Sequence, residues 1–176
     1  MTLQTFISKL NWRQLFVHCI ASFFLMYAFE TLSFLRNIKL VDEIRRHGDN
    51  HSLPKYLSDN SMAKAGQIIF YWLWLSIANA AGLIAAFIIS LVISIRKHWW
   101  WVNTVLMLLL TLLLQKFSFL GSYNAKKIFW FIGELFNNTA LQFFINGCVL
   151  LLIALLLFFS KQTNRFINKH FKNNVK

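Results

Sequence analysis

The feature that most constrains this chain is a set of long apolar runs, nearly free of Asp, Glu, Lys and Arg, separated by polar stretches. About 20 apolar residues, rising ~1.5 Å each as a helix, match the ~30 Å hydrocarbon core of a bilayer. Lipid offers no hydrogen bond to an exposed peptide group, so a continuous apolar run crosses as a helix, which satisfies its own backbone. Runs of this kind fall at about 14–35, 66–95, 99–120 and 140–160. They predict an all-α fold: a polytopic integral membrane helical bundle of about four transmembrane helices, with residues 1–176 as a single transmembrane domain. Hydrophobic residues make up 57% of the chain, against about 45–50% in soluble domains.

Lys9 and Arg13 ahead of an apolar stretch raise the possibility of a cleaved leader. Met26 stands where a cleavage site before Ala28 needs a small residue, and the apolar stretch runs on to Leu35, so the segment reads as a retained first helix. Ile38, Val41 and Ile44 then recur at helical spacing up to Gly48, which extends that helix beyond the membrane surface. The charged loop 36–65 is too short for a domain of its own. Residues 122–139 are too short and too mixed to span. They read as an interfacial helix or a re-entrant segment before the last span.

Lys and Arg outnumber Asp and Glu by 18 to 6 and lie between and after the apolar runs, not on a motif that reads bases. The implied partners are membrane lipids, including anionic headgroups, and not nucleic acid. With four spans both termini share a face, and the Lys and Arg residues divide evenly between the two faces. The face holding the termini carries no acidic residue, whereas the other bears Asp42, Glu43, Asp49, Asp59 and Glu134. This places the chain in a membrane, read as a bacterial cytoplasmic membrane, with both termini on the cytoplasmic side. Trp12 and Trp99, Trp100 and Trp101 form one aromatic belt, and Tyr71, Trp72, Trp74, Tyr123 and Trp130 the other.

The clearest packing pattern is in the second span. Ala78, Gly82, Ala86, Ser90 and Ser94 recur every four residues, and Ala81 and Ala85 widen the same face. Small side chains let two helices approach closely in lipid. That face suits packing within the bundle, or against a second copy or another membrane protein.

Glu30 is the one acidic residue inside a span, and an ionisable group there is costly unless it is paired or protonated. Gln115, Lys116, Gln142 and Asn146 lie at comparable depth, so the five form a candidate polar pocket. A structural Glu30–Lys116 pair, or a carboxylate reaching the headgroups, is the plainer alternative. Asn79 and Asn103, deeper in the second and third spans, read as hydrogen-bonding links between helices.

His47 and His51 are four apart, near Asp42, Glu43 and Asp49, and are weak metal-ligand candidates, because Gly48 and Asn50 interrupt a helix through them. His18 and His98 fall near the opposite face, one able to reach the headgroups and the other among tryptophans. Cys19 and Cys148 sit within apolar runs as small hydrophobes. In the tail, Lys161, Arg165, Lys169 and Lys172 form a basic stripe beside Phe166, Ile167 and Phe171, suited to headgroup contact.

A phosphate-cradling glycine loop, a nucleophile elbow, a zinc-protease helix and paired cysteines are all absent. No catalytic residue and no cofactor are expected. The leading expectation is a small, non-enzymatic subunit or accessory protein of a membrane assembly. The alternative is a small transporter or lipid-handling protein with an outward-facing polar pocket around Glu30.

Overall fold

A computed structural model describes residues 10–39, 62–95, 100–115 and 132–168. These contain α1 (Trp12–Ser33), α2 (Met62–Ser94), α3 (Trp100–Gln115), α4 (Thr139–Phe159) and α5 (Lys161–Asn168), with short 3-10 turns at Phe34–Asn37 and Gly133–Leu135. No strand occurs among the described residues, and the fold is all-α. Three helices are long and apolar enough to cross a membrane, over Trp12–Asn37, Ile69–Ser94 and Thr139–Phe159. The apolar α3 is described over 16 residues, a rise of about 24 Å, and the rest of the expected 99–120 span lies outside the described residues.

Each boundary has a local cause. The Asn11 side chain accepts from the Gln14 backbone N–H at 3.0 Å and Asn138 from that of Leu141 at 3.2 Å, so each satisfies one of the donors a helix leaves open at its start. At the junction of α4 and α5, Ser160 is extended (φ −64°, ψ 142°), and its hydroxyl caps Thr163 N–H at 3.1 Å. The basic segment therefore turns into a separate short helix and does not continue α4.

α1 is the hub, packing against α2, α3 and α4. Gln14 and His18 meet Ser94 and Ser90, whereas Glu30 meets Asn79, so α2 runs antiparallel to α1. His18 meets Phe158 and Phe34 meets Phe143, so α4 is antiparallel as well. Cys19 meets Thr111 and Met26 meets Gln115, so α3 runs parallel to α1. Successive helices thus alternate in direction, and α1 begins at the end of the bundle where α4 finishes. At that end, called here the tail end, Arg13 donates to the Phe166 carbonyl at 3.2 Å and lies 4.7 Å from the centre of its ring.

The step-four small face of α2 is used inside the bundle, against α1. A Cβ on Gly82 would fall 2.8 Å from Met26 Cα and 3.2 Å from the Leu25 carbonyl oxygen. Ala86 joins Ala21, Leu25, Ala154 and Phe158 in a core shared by α1, α2 and α4. The opposite side of α2 is open: only 17% of its apolar window is buried, and Leu73, Ile77, Ile84, Ile88, Val92 and Ile95 are exposed along it. Exposed aliphatic side chains on an apolar helix suit contact with lipid or with another membrane helix.

Candidate functional site

Glu30 is 5% exposed. Its Oε2 accepts from Asn79 Nδ2 at 3.4 Å, and Asn79 Oδ1 accepts in turn from Gln115 Nε2 at 3.3 Å. A carboxylate on α1, an amide on α2 and an amide on α3 therefore form one chain. The Tyr27 and Tyr71 side chains lie near Glu30. Beyond it, Phe34 packs against Tyr71 and Phe143, with ring centres 5.8 and 4.9 Å away. The Arg36 guanidinium sits 4.0 Å from the centre of the Trp74 ring, so a cation covers the aromatic rim beyond the carboxylate.

Of the five residues of the expected pocket, the structure brings Glu30 and Gln115 together through Asn79. Lys116 lies outside the described residues. The bonds described for Gln142 and Asn146 run to the segment before α4. Asn146, fully buried, accepts from Gly133 N–H at 3.0 Å, and Gln142 donates from its side-chain amide to the Phe136 carbonyl. These bonds hold the non-helical end of the segment before the last span against the first turns of α4. Glu134 and Leu135 are exposed there, as suits a segment at a surface, and residues 122–131 lie outside the described residues.

A second polar cluster occupies the tail end. His18 is 1% exposed and its Nδ1 lies 2.7 Å from Ser90 Oγ. That corrects the expectation of an imidazole at the headgroups: His18 points into the bundle, edge-on to Phe158 at 5.2 Å between ring centres. Gln14 donates to Ser94, so both serines of the small face serve as polar partners for α1. Farther in, Ser22 Oγ donates to the His18 carbonyl at 2.7 Å and approaches Met107 Sδ at 2.9 Å, and Cys19 Sγ lies 3.5 Å from Thr111 Oγ1. Asn103 is buried on α3.

The sequence signal for this cluster is the period of α1. Gln14, His18, Ser22, Met26 and Glu30 stand at consecutive four-residue steps on α1, which stacks them along one side of a helix. All are 5% exposed or less. The same period that marks the small face of α2 marks a polar face of α1, and the two faces meet.

Among the described residues no group of three His, Cys, Asp or Glu side chains is placed to hold a metal, and His47 and His51 lie outside them. Cys19 and Cys148 are free thiols. Lys161 and Arg165 are exposed on α5 while its Ile167 is buried, an amphipathic arrangement, and Lys169 and Lys172 lie outside the described residues. The fold and the buried cluster define an all-α chain with three helices able to cross a membrane and a polar seam between them. No family model matches this chain, and no match was found among curated proteins or solved structures.

Proposed function

We propose that the protein is a small membrane transporter whose working group is the Glu30 carboxylate. The observation that carries this reading is a carboxyl group buried in a helix able to cross a membrane, with neutral amides from two other helices lined up on it. Burying such a group costs stability, and in membrane helices it is retained mostly where an ion, proton or substrate is handled. The ligand that suits it is a cation or a hydrogen-bond-donating headgroup, because a carboxylate only accepts while the amides of Asn79 and Gln115 both donate and accept. Four crossings, with α3 as the third and both termini on the cytoplasmic side, agree with the alternating helix directions and with the acid-free face at the tail end. Lys161 and Arg165, with Lys169 and Lys172, would then rest on anionic headgroups.

The expected result is a separation of function from folding. In host cells, a chromosomal Glu30→Gln allele should reproduce the deletion phenotype over a panel of growth conditions that includes toxic amphiphiles, ionophores and shifts of external pH. Its abundance in the membrane should match the wild type. Loss of function only in proportion to loss of protein would make Glu30 a structural residue and end this reading.

The second reading is a non-enzymatic subunit of a membrane assembly. It is favoured by the small share of α2 that the bundle covers. A partner would have to use the aliphatic side of α2, because the small-residue face already meets α1. Photo-crosslinkers at Ile84 and Ile88 that capture one defined membrane protein would favour it over transport.

A further inference from the structure

The last two turns of α4 carry an open apolar groove of about 460 Å³, lined by Leu152, Leu155, Leu156, Phe159 and Ser160. The four apolar residues follow the i, i+3, i+4, i+7 spacing that puts side chains on one side of a helix. All four are exposed, whereas Ala154 and Phe158, on the side turned to α1 and α2, are fully buried. The groove ends at Ser160, where the backbone leaves the helical path (ψ 142°) before α5 begins.

α5 supplies charge where the groove supplies apolar surface. Lys161 follows Ser160 directly and Arg165 lies one turn farther, on the same side of α5, and both are exposed. These cations are held in place. Ser160 caps the start of the helix, Ile167 is buried, and Arg13 grips the far end through the Phe166 carbonyl and ring. The same contacts set a third cation, Arg13, against a helix that already carries two. Among the described residues the tail end of the bundle has no Asp or Glu to balance them, and the adjoining residues 1–9, 96–99 and 169–176 have none in sequence. The balancing anion therefore comes from outside the chain.

We propose that the corner between α4 and α5 is a binding site for one anionic phospholipid, with an acyl chain along Leu152, Leu155, Leu156 and Phe159 and the phosphate on Lys161 and Arg165. An apolar groove that stops where two fixed cations begin matches the order of chain and headgroup in a phospholipid. A zwitterionic lipid brings a cation of its own, which a basic helix without carboxylates repels, so the complementary headgroup is anionic. A free phosphate would meet the cations and leave the groove unused. Holding Lys161 and Arg165 in place before the lipid arrives removes part of the ordering cost of binding. This is a site for a single lipid, beyond the general attraction of a basic tail to a charged surface, and it stands apart from the role of Glu30.

The test uses the purified full chain in vesicles of equal parts phosphatidylglycerol and phosphatidylcholine with matched acyl chains, carrying a diazirine photo-crosslinking residue in place of Leu156 or of Ile88. Ile88 is 53% exposed on α2. Because Ser90 and Phe158 both meet His18, it lies near the level of Leu156 in the bundle. The crosslinker at position 156 should capture phosphatidylglycerol severalfold over phosphatidylcholine, read by mass spectrometry, and the one at position 88 should capture the two about equally. Lys161→Gln with Arg165→Gln, both at exposed positions, should bring the ratio at 156 down to that at 88. Excess glycerophosphoglycerol, the same headgroup without chains, should leave the ratio unchanged. If it abolishes the preference, the cations bind a phosphate without the groove and the proposal falls. Equal ratios at 156 and 88, a preference that survives the double substitution, or capture of a second copy of the chain at 156 in place of lipid each overturn it. Should the double variant not fold, the comparison of 156 with 88 in the otherwise unaltered chain decides alone.

Discussion

Replacing Gly82 by Leu should collapse the yield of folded protein, and even Gly82→Ala should lower the midpoint of unfolding in a denaturing-detergent titration. The reason is the nature of the obstacle. A Cβ at this position meets the backbone of α1, 2.8 Å from Met26 Cα and 3.2 Å from the Leu25 carbonyl oxygen. Backbone does not rotate away, so the two helices have to separate along the seam that holds Ala86 and Leu25 in the core. Overpacking a fitted core costs about 1–3 kcal/mol, occasionally more, and Leu adds three further carbons to the clash. Gly147→Ala is the control. Its new Cβ would meet Leu32 Cδ2 and Cγ at 2.6 Å, the outer part of a flexible side chain that has other rotamers. If Gly82→Ala unfolds no earlier than Gly147→Ala, α1 and α2 do not touch here.

Asn146→Leu should destabilise the protein by about 1–3 kcal/mol, the cost of leaving a buried donor without its acceptor. Leu keeps the four side-chain heavy atoms of Asn, branched at the same carbon, while the Gly133 N–H loses the Asn146 Oδ1 that it reaches at 3.0 Å. The effect is local as well as global. Hydrogen exchange at the Gly133 amide should accelerate in Asn146→Leu, with the tail-end half of α4 unchanged. Unaltered exchange would mean that the turn before α4 is held by something else.

Much of the architecture was legible from apolar run length alone. The runs at 14–35, 66–95 and 140–160 correspond closely to α1, the apolar part of α2, and α4, because the bilayer fixes how many residues a crossing takes. The step-four face of α2 was legible too. Its partner was not, since small residues announce close approach without naming the helix that approaches. With α1 against Gly82, that face is already covered and is not available to another protein.

The site was read in part. Depth along each span puts Glu30 and Gln115 at one level but is silent about direction around the helix, and the bonds described for Gln142 and Asn146 run to Phe136 and Gly133. Asn79 was seen as a link between helices, and it is the link that joins Glu30 to Gln115. His18 was misjudged because closeness to a span's end was allowed to decide its orientation. The period it shares with Gln14, Ser22 and Glu30 points instead to the interior.

Paired cysteines test most directly whether α1 and α2 run antiparallel with their polar and small faces joined. In a background with Cys19 and Cys148 replaced by Ser, His18→Cys with Ser90→Cys should form a disulfide in native membranes under mild oxidant, because the side chains they replace are 2.7 Å apart. His18→Cys with Asn79→Cys should stay reduced, since Asn79 lies three turns away beside Glu30. Efficient bridging of the 18–79 pair with none at 18–90 would contradict the register that joins the polar face of α1 to the small face of α2.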